Sequence, residues 1–342
     1  MDEKARVYPP LVSVVVVHLG ALNLLETLLA SLYRSLSIEQ VETIVVDNAS
    51  ETPGVEKLLE RYSGIRLVRL CDRKGYSAAT NAGIGVSCGK YILWCNNDLV
   101  FAKDAVQMLT GFLESHPDYG VAGPRLLNSD GSYQPSFSMI HIDPLSLILE
   151  RLCLSALFPS RVIERNSYGH ETVEQDVAVV TGACMLIRKE ALKQIGNELD
   201  ERFFLYTEEF DLCHSLSKAG WKARYLPSSR VTHFGGQTTT RTGRWRLFMV
   251  QRWRSNYAYI RKHYGEWNEK VLAAFVIVTA VPRVCFALGR QLAGILMADQ
   301  DYARLAGEQR HFHSDLLRLS MSVDRHRADV LWELEQSPWQ QN

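Results

Sequence analysis

The seven cysteines of this 342-residue chain form no C-x-x-C pair and no Cys/His cluster of zinc spacing, which argues against a structural zinc module. Cys88, Cys95, Cys153, Cys184 and Cys285 lie in apolar surroundings, so reduced, buried thiols of a cytosolic protein are expected. The opening MDEKARVYPP is charged and proline-containing, with no apolar stretch before a cleavage site, and no secretory leader is expected. Charge excess is missing too: Lys+Arg and Asp+Glu stand at 38 each, which removes the general electrostatic argument for nucleic acid. No internal repeat or low-complexity linker interrupts the chain. What is there, 46% hydrophobic and 22% charged residues, suffices for one large domain or two smaller ones with a sizeable core.

Val12–Val17 (VSVVVV) is β-branched and almost without polar relief, the pattern of a strand covered on both faces. Leucines at helical spacing follow over Leu22–Ser35, and Val41–Val46 is a second strand. The alternation continues: helix over Gly54–Tyr62, strand over Ile65–Leu70, helix over Ser77–Ser87, strand over Tyr91–Cys95, helix from after Ala102 to Ser115. Such alternation predicts βαβ units and a sheet with helices on both faces. The next run, GVAGPRLLNSDGSY, reads as a strand and a turn; residues 134–176 read as a variable excursion with a helix near Leu145–Leu157. Val177–Arg188 reads as strand, glycine turn, strand.

In a sheet of this kind ligands bind beyond the carboxyl ends of the strands, which directs attention to the polar residues found there. Asp47-Asn48 ends one strand and Asn96-Asn97-Asp98 another. The second cluster is suited to a hard cation, Asp98 directly and Asn96 through its carbonyl oxygen, although Asn and Asp also cap helices and shape turns. Glu208, Glu209 and Asp211 open a predicted helix: they serve either as acids stabilised by its dipole or as a source of a general base. His233 ends a strand before two glycines in VTHFGG, as a structural histidine or as a member of a metal shell.

Taken in order, VSVVVV, IVVDNAS, KGYSAATNAGI, YILWCNNDLVF, TGACMLIRKEAL, LDERFFLYTEEFDLCHSLSKAGWKARYLP and VTHFGG resemble the glycosyltransferase family 2 enzymes of the GT-A fold, particularly their bacterial rhamnosyltransferase-like branch. The resemblance covers about Val12–Gln237. It implies a Rossmann-like mixed α/β sheet flanked by helices over residues 1–240, followed by a helical C-terminal extension over 241–342. It also implies an inverting, metal-dependent transfer of a single sugar, rhamnose among the candidates, from a nucleotide-diphospho-sugar to a glycan or lipid-linked acceptor in cell-surface polysaccharide synthesis. By the same resemblance Asp47, Asn48, Lys74, Asn81 and Asn97 belong to the donor site, and Asp98, Asn96 and His233 to a Mg²⁺ or Mn²⁺ site. Glu209 takes the place of the family's catalytic aspartate, with Glu208 and Asp211 beside it. Three positions depart from the family pattern: His18-Leu19-Gly20 stands where an Asn-containing segment is usual, Glu209 is one methylene longer than aspartate, and Asn96 lacks the first acid of D-x-D. The Q-x-x-R-W spacing of processive synthases is missing from Gln251–Gly265.

Two other classes are weighed. A nucleotidyltransferase needs a Gly-rich basic loop after the first strand, and HLGALNLLE is not one. A non-catalytic nucleotide-sugar-binding protein would carry the same motifs around a weakened Asn96 site. The segment Val271–Gly289 is nearly long enough to cross a bilayer but holds Pro282 and Arg283. A buried or interfacial helix pair is expected ahead of a span, at the inner face of a cytoplasmic membrane or inside a homodimer.

Overall fold

The computed structural model describes residues 11–35, 41–50, 52–62, 64–154, 157–158, 167–235 and 245–322. The start of the chain and Gly236, second of the paired glycines, lie outside them. In chain order the elements are β1 (Val12–His18), α1 (Leu22–Ser35), β2 (Val41–Asp47), α2 (Val55–Leu59), β3 (Ile65–Arg69), α3 (Tyr76–Val86), β4 (Tyr91–Cys95), β5 (Leu99–Phe101) and α4 (Ala105–Ser115). Then follow β6 (Tyr119–Leu127), β7 (Tyr133–Gln134), β8 (Phe137–Ser138), α5 (Pro144–Arg151), β9 (Gln175–Val177), β10 (Val179–Val180), β11 (Cys184–Arg188), α6 (Lys189–Gln194), α7 (Glu208–Lys218) and β12 (Lys222–His233). Helices α8 (Trp245–Tyr264), α9 (Glu266–Leu296) and α10 (Gln300–Met321) complete the described chain. Contacts divide it into two units, one of residues 1–141, 163–200 and 208–235, the other of residues 142–162, 201–207 and 236–342.

The first unit is built on a sheet of order β3-β2-β1-β4-β11-β6-β12-β5. Strands β1 to β4 run parallel, β11 enters antiparallel between β4 and β6, and β5 returns antiparallel on β12, so the sheet is mixed. The apolar run of β1 serves both faces. Val14 and Val16 pack with α1, α2 and α4 residues such as Leu28, Leu58 and Leu109, while Val15 and Val17 pack with Ala79, Ile84 and Leu212 of α3 and α7. A polar residue at any of these four positions would face a helix on one side or the other, which is why all four are valine; the buried Ser13 of the same strand is hydrogen-bonded to Glu42 and Gly89. Helix α3 lies so close to β1 that a Cβ at Gly83 would stand 2.5 Å from Val15 Cγ1.

The second unit holds α5 and the three long helices. Helix α5 is shorter than the sequence implies: Asp143 caps it with Pro144 at its first turn, and it ends at Arg151. The chain leaves through Cys153 at φ 58°, a left-handed conformation that a helix does not continue. The cysteine expectation also needs correction. Cys95, Cys184 and Cys213 are buried, but Cys88, Cys153 and Cys285 are exposed, in a turn, past a helix end and on an outward helix face. Apolar neighbours in sequence did not imply burial there: Cys88 and Cys153 lie past the ends of α3 and α5, and α9, which carries Cys285, directs its apolar residues outward.

Candidate active site

Parallel register brings the first cluster together. His18 pairs with Asp47 and Asp47 with Arg69, so the last residues of β1, β2 and β3 lie side by side at the carboxyl edge of the sheet. Asp47 is buried and accepts the Ser50 amide at 2.9 Å. Asn48 brackets the loop before α3: its Nδ2 donates to the Lys74 carbonyl at 2.9 Å and its Oδ1 accepts the Lys74 amide at 2.8 Å. The Lys74 ammonium reaches Asp72 at 2.7 Å. His18 is fully buried with no partner for Nε2, and burial lowers its pKa against the opposing pull of Asp47, which keeps the ring neutral at pH 7. Asn97 turns to this side, with Nδ2 3.5 Å from His18 Nδ1.

The same edge receives Asn96-Asn97-Asp98 as the chain passes from β4 to β5. Leu99 pairs with His233 at the end of β12, which places Asp98 beside that histidine. Asp98 Oδ1 lies 3.2 Å from His233 Nε2. A relay of amides sets the imidazole tautomer. Gln134 Nε2 donates to Asn128 Oδ1 at 3.0 Å, so Gln134 Oε1 is free to accept from His233 Nδ1 at 2.7 Å. Nε2 is left facing the Asp98 carboxylate at 3.2 Å and Asn96 Nδ2 at 3.3 Å. A carboxylate oxygen and an imidazole nitrogen set this close form a donor pair of the kind that suits a divalent metal. Asp98 and His233 thus fit a two-residue hold for such an ion. Among the described residues no three His, Cys, Asp or Glu side chains converge on such a point.

Asn96 departs from its sequence-based role. Its Oδ1 accepts the Tyr76 hydroxyl at 2.6 Å and its Nδ2 faces His233 Nε2 at 3.3 Å, so it presents nitrogen, not oxygen, to the pair. The Tyr76 hydroxyl is held in turn by Trp94 Nε1 at 3.1 Å. Asn81 is likewise engaged elsewhere: both ends of its amide bond the Leu199 backbone, at 2.8 Å each. Sequence reading missed Tyr76, Trp94 and Gln134. Tyr76 lies within a recognised motif as the first residue of α3, a usable signal, whereas Gln134 lies in a stretch with no periodicity.

The acidic cluster opens α7, which the chain enters through Tyr206 and Thr207 at φ 67° and 74°. Two consecutive left-handed residues other than glycine store backbone strain where the carboxylates are aimed. Glu209 sits against Gly182 at the mouth of β11, where an added Cβ would come within 3.3 Å of Glu209 Cβ and 3.4 Å of Trp94 Cη2. The neighbouring Ala183 carbonyl accepts the Asn96 amide at 2.9 Å, so the glutamate stands next to the β4–β5 crossing. Asp211 is buried within the first turn. Glu208 is buried with Oε2 unpartnered, and burial first, then the charge of Glu209, pushes its pKa well above the usual carboxylate range. One carboxyl of the adjacent pair is thereby kept neutral.

That neutrality has a measurable consequence. A folded-state pKa above the unfolded one stabilises the fold fully below about pH 4.3 and loses that contribution as pH rises through the folded value. Within that window Glu208 costs at most about 1.4 kcal/mol per pH unit. Glu208→Gln is expected to flatten this part of the dependence of Tm on pH, with the largest gain over wild type on the alkaline side. Parallel Tm–pH curves for the two proteins would refute the assignment.

A sheet edge carrying an acid–histidine pair beside two adjoining carboxylates is the layout of an α/β group-transfer enzyme. Residues 13–196 match the family described as Glycosyl transferase family 2, and the chain belongs to that family. It is 30% identical over 262 residues to the N-acetylglucosaminyl-diphospho-decaprenol L-rhamnosyltransferase of Mycobacterium tuberculosis, covering 71% of this chain and 82% of that one. With the rhamnosyltransferase WbbL of Escherichia coli K12 it shares 23% identity over 235 residues, 66% of this chain and 83% of the relative. Among solved structures, the mannosyltransferase PcManGT of Pyrobaculum calidifontis, in complex with GDP-Man and Mn²⁺, superposes with a TM-score of 0.54 at 16% identity, over 92% of this chain and 88% of that one. The protein is a glycosyltransferase of GT-A fold that uses a nucleotide sugar in glycan synthesis.

Proposed function

We propose that the enzyme moves a single rhamnose from a nucleotide-diphospho-rhamnose to a lipid-linked glycan acceptor at the inner face of the cell membrane, with inversion at the anomeric carbon and in dependence on Mg²⁺ or Mn²⁺. The observation that carries the reading is the facing pair Asp98 and His233, beside the crossing that Glu209 adjoins. Asp98 and His233 hold the metal, which when bound neutralises charge on the departing nucleoside diphosphate. Asp47 lies where it can accept from the nucleoside, and the Asn48 bracket holds the Lys74 loop in place before α3. Glu209 takes the proton from the acceptor hydroxyl as that oxygen attacks the anomeric carbon and the nucleoside diphosphate departs. Glu208, neutral, does not compete for the proton. The rhamnosyl specificity rests on the names of the two bacterial relatives.

A thermal-shift screen of nucleotide sugars, with and without Mn²⁺, tests the donor half of the proposal. Saturation at about a hundred times Kd adds roughly 2.7 kcal/mol to the folded state, enough to raise Tm by a few degrees. dTDP-rhamnose with Mn²⁺ is expected to give the largest rise. A screen in which no nucleotide sugar stabilises the protein in the presence of metal would sink the proposal. Stabilisation by donor with no transfer to any glycan acceptor would mark a binding protein instead.

A further inference from the structure

Helix α9 is amphipathic in the opposite sense to a helix in water. Of its twelve exposed positions between Val271 and Leu296, none carries a charged, amide or hydroxyl side chain. Val278, Phe286, Leu292 and Leu296 stand 71%, 70%, 53% and 87% exposed, and Trp267, at 76%, ends the face. The polar side chains of the same stretch turn inward. Arg283 donates to the carbonyls of Thr279 and Arg151 at 2.9 and 2.5 Å, and Arg290 to the Tyr302 hydroxyl at 2.8 Å and to Gln309 at 3.1 Å. An outward apolar face over a helix roughly 46 Å long is costly in water and favourable against lipid or protein.

A bilayer-spanning arrangement conflicts with what packs against α9. Helix α10 folds back along it, close enough that a Cβ on Gly294 would stand 2.7 Å from the Ala303 amide nitrogen. That helix exposes Asp301, Arg304, Glu308 and Arg318, and charged groups of this kind do not enter hydrocarbon cheaply. One side of the hairpin belongs in water and the other against something apolar.

The width and charge of the hairpin choose the occupant. A coiled-coil seam with a second copy uses two positions in every seven. Between Val281 and Leu296, nine of sixteen positions are exposed and apolar, a broad face and not a seam. Residues 245–322 also carry eleven Lys and Arg against six Asp and Glu, in a chain that is neutral as a whole. A broad apolar face on a helical segment of net positive charge matches an anionic lipid interface. We propose that α9 lies in the plane of an anionic membrane surface, its Trp267–Leu296 face set into the boundary between headgroups and acyl chains, with α10 on the aqueous side. This seat deepens the proposed reaction, resting on it only for its purpose: it brings the enzyme to the surface where a lipid-linked acceptor is displayed.

Flotation of the full-length protein with vesicles of equal parts phosphatidylcholine and phosphatidylglycerol tests the seat without turnover. Wild type is expected to float with these vesicles and less with phosphatidylcholine alone. Val278→Glu and Leu292→Glu should each lower the bound fraction by about tenfold or more, while Leu305→Glu, on the half-exposed side of α10, should float like wild type. Wild type left with the unbound protein, or Leu292→Glu floating undiminished, would overturn the proposal. So would light scattering that shows a dimer in lipid-free buffer dissociated by Leu292→Glu, since a second copy would then own the face. Release of dTDP from dTDP-rhamnose by the same proteins separates the two readings. Wild type that releases dTDP without floating removes the seat and keeps the reaction, and wild type that floats without releasing dTDP does the reverse.

Discussion

Glu209→Gln is expected to lower sugar transfer by about 10²–10⁴-fold, the range a positioned general base supplies, while leaving donor affinity close to that of wild type. The amide keeps the shape of the side chain against Gly182 and Trp94 but cannot accept the proton of the acceptor hydroxyl. Glu209→Asp, which restores the family's usual acid with one methylene less, should retain a measurable part of the rate. Glu208→Gln should lose far less than Glu209→Gln, because Glu208 is already held neutral by burial and by its neighbour. Transfer kinetics with donor binding measured separately discriminate these cases. Full turnover in Glu209→Gln, with the loss transferred to Glu208→Gln, would move the base to the buried position.

Asp98→Ala is expected to reduce transfer by about a thousandfold, as several kcal/mol of charge stabilisation on the leaving diphosphate are lost at about 1.4 kcal/mol per factor of ten. The same variant should lose the extra thermal stabilisation that Mn²⁺ gives in the presence of nucleotide sugar. Its Tm without metal should change little, because Asn96 Nδ2 remains 3.3 Å from His233 Nε2. Gln134 still holds the other nitrogen of His233. Manganese titration of both proteins, followed by Tm and by dTDP release, reads the effect. An Asp98→Ala enzyme with wild-type turnover and manganese response would exclude Asp98 from the metal site.

The strands and the edge of the sheet were readable from local pattern. A β-branched run such as VSVVVV has only Ser13 for polar relief, so both its faces are covered, and the polar residues that follow it lie where the strand stops. This reasoning brought Asp47, Asp98 and His233 forward as candidates, whereas Glu209 came from the acidic opening of a predicted helix and from the family resemblance. The partners that tune them were not readable in this way. Gln134 reaches His233 from 99 positions away, by a short antiparallel pairing of β7 on β6 after a tight turn. The helix at Leu145 was foreseen too long because apolar spacing continues beyond the point where the backbone turns left-handed at Cys153.

Asn96 marks the boundary between the two kinds of information. Composition and spacing establish that an amide stands where an acid is usual, and therefore that one negative charge is missing beside Asp98. Which end of that amide faces Asp98 and His233 depends on a hydroxyl 20 residues back and an imidazole 137 residues ahead. An amide has a donor end and an acceptor end of nearly equal size, so no local preference selects its orientation, and only the groups brought round it by the folded chain do. The same holds for α9: hydropathy shows a helix rich in apolar residues, but which face is turned outward follows from the arginines that α5 and α10 draw inward.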